Sequence, residues 1–351
     1  MRTRFDADRA NRVVDFFEQL LVHTKGRWAR QPFELADFQR DEIIRPLFGA
    51  MMFDPDDEEW VRLYNLAWLE IARKNGKSEL MAGIGLYLLG ADDEEGAEVY
   101  SVAKDTDQAG LVFDVAKRML ELADLGGPPR SGKPFIIYPT NKRIVYPKLG
   151  GFYRVIAADA LGNLGQNPHG ILFDEIIAQP DGLLWDAMKT GFGARRQPLM
   201  VAATTAGDNP ASFARAEHEF SMRVVEDPTL APRRLVNIHY APIADDWTSE
   251  ETWAKANPAL GLFLRPQVLR DELKEAQENP RAERAFRQFR RTRRSCRRDR
   301  GDDGRCQRDG GVGRGRRHFG GGLHRFDLSA RCHGGSGIQS RCRWRLRSRR
   351  R

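Results

Sequence analysis

Cysteine is absent from the first 290 residues of this 351-residue chain, and long apolar runs are absent throughout. The four cysteines contain no close Cys-x-x-Cys pair and are Cys296, Cys306, Cys332 and Cys342. A disulfide framework or a zinc site is therefore not expected. The longest mainly apolar stretch without a charge is Leu80–Ala91, and the N-terminal residues include acids where a signal peptide has an apolar run. Neither membrane spanning nor secretion is predicted.

Lysine and glutamate are absent from residues 291–351, which hold 20 arginines and five aspartates. The overall formal charge of +8 comes from this tail, because the first 290 residues carry more acids than bases. The sequence thus predicts a mildly acidic globular body that is followed by an arginine-rich tail of different origin. Sixty-one residues of this composition offer too little apolar surface for a packed domain.

Short β-rich runs alternate with amphipathic stretches of helical length between residues 60 and 209, which predicts an α/β fold with a mainly parallel, three-layer sheet. The predicted strands are Leu63–Ile71, Glu98–Ala103, Pro134–Tyr138, Phe152–Ala157, Gly170–Phe173 and Leu199–Ala203. The predicted helices between them include Ser78–Leu89 and Gln108–Leu122. Residues 138–146 predict a hairpin at one side of the sheet.

Four regions are expected along the chain. Residues 1–59 form an N-terminal helical lobe, in which helices over Asp8–His23 and Ala36–Phe48 are followed by an acidic loop at Asp54–Asp57. Residues 60–209 form the α/β core. Residues 210–290 form a helix-rich subdomain, interrupted before three prolines, and residues 291–351 are the tail.

The segment Ala72–Ser78 (ARKNGKS) lies between a predicted strand and a predicted helix. In that context it favours a phosphate-binding loop of the Walker A type, in which Lys77 reaches the phosphates and the Ser78 hydroxyl ligates Mg²⁺. The usual leading glycine is missing, because Ile71 stands five residues before Gly76. A basic turn that caps a helix is the alternative explanation.

Two further strands end in polar residues. Ile171–Glu175 is apolar up to Asp174 and Glu175, which suit a Mg²⁺ ligand and a carboxylate that orients the attacking water, as in a Walker B strand. Met200–Gly207 ends in Thr204 and Thr205, hydroxyls that can sense a γ-phosphate. Alternatively, the acids are a solvated pair at a helix start and the threonines an N-cap.

These motifs together resemble the large terminase subunit of tailed bacteriophages, the motor that packages the viral genome. The resemblance runs from about Val13 to Arg290. The segments that carry it are Leu20–Gly26, the Phe38-Gln39 helix that ends at Gly49, Ala72–Ser78, Ile171–Glu175, Thr204–Gly207 and Trp253–Gly261. The arginine-bearing phosphate loop without a first glycine is common in that family.

The resemblance implies a role for each matching residue. Phe38 and Gln39 correspond to the adenine-recognition element, and Gly76, Lys77 and Ser78 to the phosphate loop, where Arg73 adds a cation. Asp174 is the implied Mg²⁺ acid, Glu175 the catalytic carboxylate, and Thr204 and Thr205 the motif that couples hydrolysis to DNA movement. Ordinary alternatives stay open, since Phe38 can be core, Gln39 a solvated helix residue, and Arg73 a surface base that Lys74 replaces.

By this resemblance the chain is an ATP hydrolase that uses Mg²⁺ and translocates double-stranded DNA as a homo-oligomeric ring. The implied partners are a small terminase subunit and a portal protein, in the host-cell cytoplasm. The loop pair Arg195-Arg196 can act on a neighbour's γ-phosphate or be solvated. The alternative functions are a helicase-like P-loop ATPase, which needs a second RecA-like domain, and a non-catalytic DNA-binding remnant.

The resemblance also implies a nuclease domain after residue 290, but the tail does not match one. One aspartate in Phe326–Ser329 faintly resembles the first acidic strand of that domain, and a single acid is no metal site. Nuclease activity is therefore not expected of this chain.

We predict that the tail is a frame-shifted or otherwise aberrant end. A GC-rich gene that is translated out of frame tends to yield Arg, Gly, Cys, His, Ser and Trp, all of which occur in the tail. The check is to translate the other two frames downstream of the Arg290 codon. One of them should encode alternating strands that end in Asp or Glu, and the idea is wrong if neither does.

Overall fold

The structure is a computed structural model that describes residues 1–103, 106–157, 167–179, 181–207, 209, 211–242 and 244–291. The tail from residue 292 onward, including its cysteines and Asp327, lies outside the described residues. In the described part, no helix combines the length and the apolarity that a bilayer crossing requires.

Strands and helices alternate through the described residues. The strands are β1 (Thr3–Phe5), β2 (Ala50–Asp54), β3 (Glu59–Arg62), β4 (Leu66–Glu70), β5 (Glu98–Ala103), β6 (Gly126–Gly127), β7 (Phe135–Tyr138), β8 (Arg143–Tyr146), β9 (Gly151–Ala157), β10 (Gly170–Asp174), β11 (Leu199–Thr204) and β12 (Arg234–Ile238). The α-helices are α1 (Ala7–Leu20), α2 (Arg45–Gly49), α3 (Lys77–Gly90), α4 (Thr106–Leu122), α5 (Leu183–Thr190), α6 (Phe213–Glu226), α7 (Glu250–Ala256), α8 (Pro266–Glu278) and α9 (Pro280–Arg291).

A nine-stranded sheet forms the centre, in the order β12-β4-β11-β10-β5-β9-β8-β7-β6. The strands from β12 to β9 are parallel, whereas β9, β8 and β7 pair antiparallel. Strands β4, β10 and β11 are buried along their whole length, as expected for parallel strands that are covered on both faces. The predicted α/β fold and its side hairpin are thus confirmed.

The two faces of the sheet carry separate apolar layers. Leu69 packs with side chains of α1, α3 and α4 on one face. Trp68 points to the other face, where it packs with Trp185 of α5 and Ala214 of α6. Successive side chains of β4 alternate between these layers because side chains of a strand point alternately to its two faces.

The N-terminal region contains more strand than the sequence predicts. Helix α1 begins after the N-cap Asp6, and a π-helix at Phe38–Ile44 continues into α2. Strands β1, β2 and β3 then form a small antiparallel sheet. The acidic segment 54–57 lies at the turn between β2 and β3 rather than in an open loop.

The C-terminal region supplies an unexpected strand to the central sheet. Helices α6, α7 and α8 end where the Asp-Pro and Asn-Pro pairs predict, because their C-caps are Asp227, Asn257 and Asn279. Between them, β12 pairs in parallel with β4, so that Ile238 lies beside Glu70. Residues 234–238 thus belong to the sheet, although their neighbours in sequence are helical.

We predict that Gly83→Ala destabilises the protein. A methyl group on this α3 glycine would clash with Cε1 of the fully buried Phe17, and neither helix can yield without disturbing the core. Overpacking of this kind costs about 1–3 kcal/mol, more than the roughly 1 kcal/mol that alanine gains over glycine in a helix. Urea unfolding measures the change in the free energy of unfolding.

Two comparisons test the cause. Gly193→Ala, where no described atom lies within 4 Å of the added methyl, should change stability little. Adding Phe17→Leu to Gly83→Ala should cost less than the sum of the two single changes. A neutral or stabilising Gly83→Ala would contradict the prediction.

Candidate nucleotide site

The phosphate-loop segment adopts the strand–turn–helix geometry that the sequence predicts. Buried strand β4 runs into residues 71–76, and α3 begins at Lys77. Lys74 and Gly76 have positive φ angles of 68° and 78°, which turn the backbone sharply before the helix. The loop therefore places the N-terminus of α3, with its partial positive charge, at the carboxyl end of the sheet.

The Lys77 side chain folds back onto this loop. Its Nζ donates hydrogen bonds to the carbonyl oxygens of Ile71, at 2.7 Å, and Ala72, at 3.1 Å. Burial lowers the pKa of Lys77 to about 8, against the opposing effect of the carboxylates of Glu175 and Asp174. The ammonium is thus enclosed between loop carbonyls and two acids, where an anion would stabilise its charged form.

The two acids lie at the end of β10 as predicted, with Asp174 as its last residue and Glu175 directly after it. Asp174 is buried, and its Oδ2 accepts a 3.4 Å hydrogen bond from the Ser78 hydroxyl. Burial raises the pKa of Asp174 to about 6, and the neighbouring Glu175 charge acts in the same direction. Glu175 is less buried and has a φ of 52°, so its carboxylate turns out of the strand direction.

The threonines at the end of β11 reach the same place. Thr205 Oγ1 donates to Oε2 of Glu175 at 3.5 Å. Thr204 Oγ1 accepts from the amide of Ile177 at 3.2 Å and donates to the carbonyl of Thr205 at 3.1 Å. The end of β11 is therefore hydrogen-bonded to the turn that carries Glu175.

Phe38 and Gln39 begin the π-helix, but their side chains contact different parts of the protein. The Phe38 ring is buried and packs edge-on against His239, with ring centroids 6.0 Å apart. Gln39 is also buried, and its Oε1 accepts from the amide of Ala36 at 3.1 Å. A methyl group on Gly76 would lie only 3.0 Å from Nε2 of Gln39, so that this amide contacts the phosphate loop.

The candidate arginines fall in two places. Arg73 is exposed on the loop, near enough to Lys77 to disfavour its charge. Arg195 instead bonds Glu94 Oε1 at 2.8 Å and the carbonyl of Gly96 at 2.7 Å, before the amino end of β5. The phosphate loop lies at the carboxyl ends of the parallel strands. Arg195 therefore lies near their amino ends, on the opposite side of the sheet from Lys77 along the strand direction.

Several residues around the site were not singled out from the sequence. Glu70, the last residue of β4, is fully buried and accepts a 2.8 Å hydrogen bond from Nδ1 of His218. Asn75 and Asn257 are buried and hydrogen-bonded to each other. Glu70 had a usable signal, since it is an acid at the end of an apolar strand directly before the phosphate loop. Asn75 and Asn257 each lie in a segment that carries the resemblance, but nothing in the sequence indicates that they pair.

Metal-binding groups are sparse in the described residues, which contain no cluster of three or more His, Cys, Asp or Glu side chains that could hold a metal ion. The only oxygens that the motifs predict for Mg²⁺ are those of Ser78 and Asp174, and the 3.4 Å between them is long for an O–H···O hydrogen bond.

We predict that Asp174→Asn stabilises the nucleotide-free protein at pH 7.5. The folded-state pKa of about 6 lies above the ordinary 3.8, so the ionised carboxylate is less stable in the folded chain than in the unfolded chain. This penalty is absent below pH 4 and complete above pH 6, and asparagine removes it. The expected gain is about 1–3 kcal/mol, measured by thermal denaturation.

Asp181→Asn is the matched control, because Asp181 is exposed and an asparagine there keeps the hydrogen bond to the amide of Leu183. It should change the melting temperature little. The gain from Asp174→Asn should shrink as the pH falls toward 4. Equal stability of Asp174→Asn and the parent protein at pH 7.5 would show that burial does not destabilise this carboxylate.

The chain is similar to known proteins over most of its described part. Residues 52–223 match the family model described as terminase large subunit, ATPase domain. The terminase large subunit of Enterobacteria phage HK97 is 28% identical over 278 residues, which are 78% of this chain and 51% of that protein. Protein YmfN of Escherichia coli K12 is 32% identical over 117 residues, 33% of this chain and 26% of that protein.

The fold is similar as well. The crystal structure of the HK97 bacteriophage large terminase superposes with a TM-score of 0.67 at 28% identity, over 82% of this chain and 55% of that chain. This chain thus spans about half the length of the HK97 terminase. The family match covers every strand of the central sheet except β12, and it includes all three motif-bearing strand ends. Residues 52–223 are therefore similar to the ATPase domain of terminase large subunits.

Proposed function

We propose that this chain is an ATPase motor subunit that couples ATP hydrolysis to the movement of double-stranded viral DNA into a capsid. The observation that carries the proposal is the meeting of Lys77, Ser78, Asp174, Glu175 and Thr205 at the carboxyl ends of three neighbouring strands. A triphosphate that reaches this edge meets a buried cation, a helix N-terminus and a carboxylate for the attacking water.

The phosphate loop is proposed to hold the nucleotide. Backbone N–H groups at the start of α3 bind the phosphates, and Lys77 exchanges its loop carbonyl partners for phosphate oxygens. Its lowered pKa then rises again, since the phosphates offset the cost of burying the ammonium. Arg73, which is exposed on the same loop, supplies the additional cation.

Ser78 and Asp174 are the proposed Mg²⁺ ligands. Their oxygens lie 3.4 Å apart, a hydroxyl and a carboxylate that both suit this hard cation. When bound, Mg²⁺ supplies positive charge for the β- and γ-phosphates. Charge on the metal would also keep Asp174 ionised in spite of its burial.

Glu175 is the proposed catalytic carboxylate. It orients a water molecule for in-line attack on the γ-phosphorus and accepts a proton from it, while the bond from phosphorus to the β,γ-bridging oxygen breaks. Thr205 contacts Oε2 of Glu175, so it positions the carboxylate and responds when the carboxylate moves. Thr204, the preceding residue, is hydrogen-bonded to the amide of Ile177, so a movement of the Glu175 carboxylate would be passed to that turn. Hydrolysis would be coupled to the rest of the chain in this way.

The wider assignment follows the family. Phe38 and Gln39 belong to the base-recognition element, in a lobe of residues 1–59, with residues 60–209 as the ATPase core and 210–290 as the linker subdomain. The proposed partners are double-stranded DNA, a small terminase subunit, a portal protein and further copies of this chain in a ring, in the host-cell cytoplasm. A trans-acting arginine is not assigned, and nuclease activity is not part of the proposal.

We predict that Lys77→Ala and Glu175→Gln both abolish ATP hydrolysis but differ in binding. Lys77→Ala removes the buried phosphate contact, so both binding and turnover should fall, turnover by about a hundredfold or more. Glu175→Gln keeps the size of the side chain and removes only the base, so turnover should fall by about a hundredfold with nucleotide affinity kept. Phosphate release and a nucleotide titration measure the two effects on the full chain.

Lys133→Ala is the control, because Ser131-Gly132-Lys133 resembles the motif in sequence but lies in the segment before β7, away from the site. Its turnover should equal that of the parent protein. Unchanged hydrolysis in both Lys77→Ala and Glu175→Gln, or Mg²⁺-independent hydrolysis, would refute the motor proposal.

A further inference from the structure

The segment Asn257–Phe263 lies against the phosphate loop although it is about 180 residues away in sequence. It follows α7, and Leu260 N bonds the carbonyl of Asn257 to form a tight turn. Gly261 then takes a positive φ of 85°, which reverses the chain before α8. Trp253–Gly261 stood out in the sequence without a role, and the turn shows where it is used.

Asn75 holds this turn against the phosphate loop through hydrogen bonds. Its Nδ2 lies within hydrogen-bond distance of the carbonyl oxygens of Ala72, at 3.1 Å, and Arg73, at 3.2 Å, and of Oδ1 of Asn257, at 3.1 Å. Its Oδ1 accepts from the amide of Ala259 at 3.0 Å. Both asparagines are only 1% exposed, so these bonds are shielded from water and the two segments hold a defined distance.

These hydrogen bonds place Phe263 beside the phosphate loop. A methyl group on Gly76 would lie 3.2 Å from Cζ of Phe263 and 3.0 Å from Nε2 of Gln39. The aromatic ring and the amide therefore flank the same backbone atom and lie close to each other. Phe263 is half-buried, unlike the fully enclosed Phe38.

The position of Phe263 relative to Lys77 indicates whether its ring contacts the base or the phosphates of a bound nucleotide. The phosphates are assigned to the start of α3, on the side of Gly76 where Ser78 approaches Asp174. Gln39 and Phe263 crowd Gly76 itself. A glutamine amide pairs well with the donor and acceptor edge of adenine, and an aromatic ring is a stacking surface for a base.

We infer that Phe263 is a base-binding residue, which forms an apolar wall for the purine of the bound nucleotide while Gln39 contacts the edge of that purine. This inference rests on the proposed ATPase function. It gives the C-terminal subdomain a direct part in the nucleotide site, because Phe263 comes from the segment before α8. It also explains the buried Asn75–Asn257 pair, which fixes the wall at a set distance from the phosphate loop.

The test compares a ligand that has a base with one that has none. Isothermal titration of the full chain with Mg²⁺ gives the Kd for ATPγS and for inorganic tripolyphosphate. Phe263→Ala should weaken ATPγS binding about fivefold and leave tripolyphosphate binding unchanged. Phe263→Tyr, which keeps the ring, should bind ATPγS as the parent does, and so should Leu262→Ala, a change at the exposed neighbouring side chain.

The outcomes separate this inference from the function on which it rests. If the parent binds neither ligand, the nucleotide site itself is wrong and the inference falls with it. If the parent binds both but Phe263→Ala binds ATPγS with unchanged affinity, the ATPase proposal stands and the base wall is refuted. An equal loss for both ligands in Phe263→Ala would make Phe263 a packing residue of the loop, which also overturns the inference.

Discussion

The parallel pairing of β11 with β4 on one side and β10 on the other is the constraint on which the site depends. Thr204 is registered with Glu70, and Ala203 with Asp174, so three strands end at one level. Polar residues that are far apart in sequence thereby meet over a few ångströms. A shift of one residue in either register would turn the side chains of one strand to the opposite layer of the core.

The charged side chains at the carboxyl ends of these strands are costly to bury. Lys77 and Asp174 are both buried, and burial moves the pKa of each toward its neutral form. Each favours the charged form of the other, whereas the Glu175 charge favours charged Lys77 but neutral Asp174, so the nucleotide-free arrangement is costly. A site of this kind gains stability when a polyphosphate and a cation arrive, since each adds the opposite charge that one of the groups lacks.

The contacts beyond the sheet connect this balance to the C-terminal helices. Asn75 joins the phosphate loop to the turn after α7, and Gln288 of α9 donates to the carbonyl of Ala206, beyond the threonines. Glu70 and His218 join the end of β4 to α6. The end of β4 and its phosphate loop are thus bonded to α6 and to the turn after α7, and the segment after β11 is bonded to α9. This is a suitable arrangement for passing a local change to the whole subdomain.

The sequence by itself determined the alternating α/β pattern, the positions of Lys77, Ser78, Asp174 and Glu175 at strand ends, and the breaks before the prolines, because these depend on local periodicity and turn chemistry. Only the tertiary structure decided that β12 joins the sheet, that Arg195 lies at the opposite edge from Lys77, and that Asn257 and Phe263 reach the phosphate loop. Those outcomes depend on which distant segments share a sheet edge or a buried hydrogen bond, and no spacing within one segment encodes that.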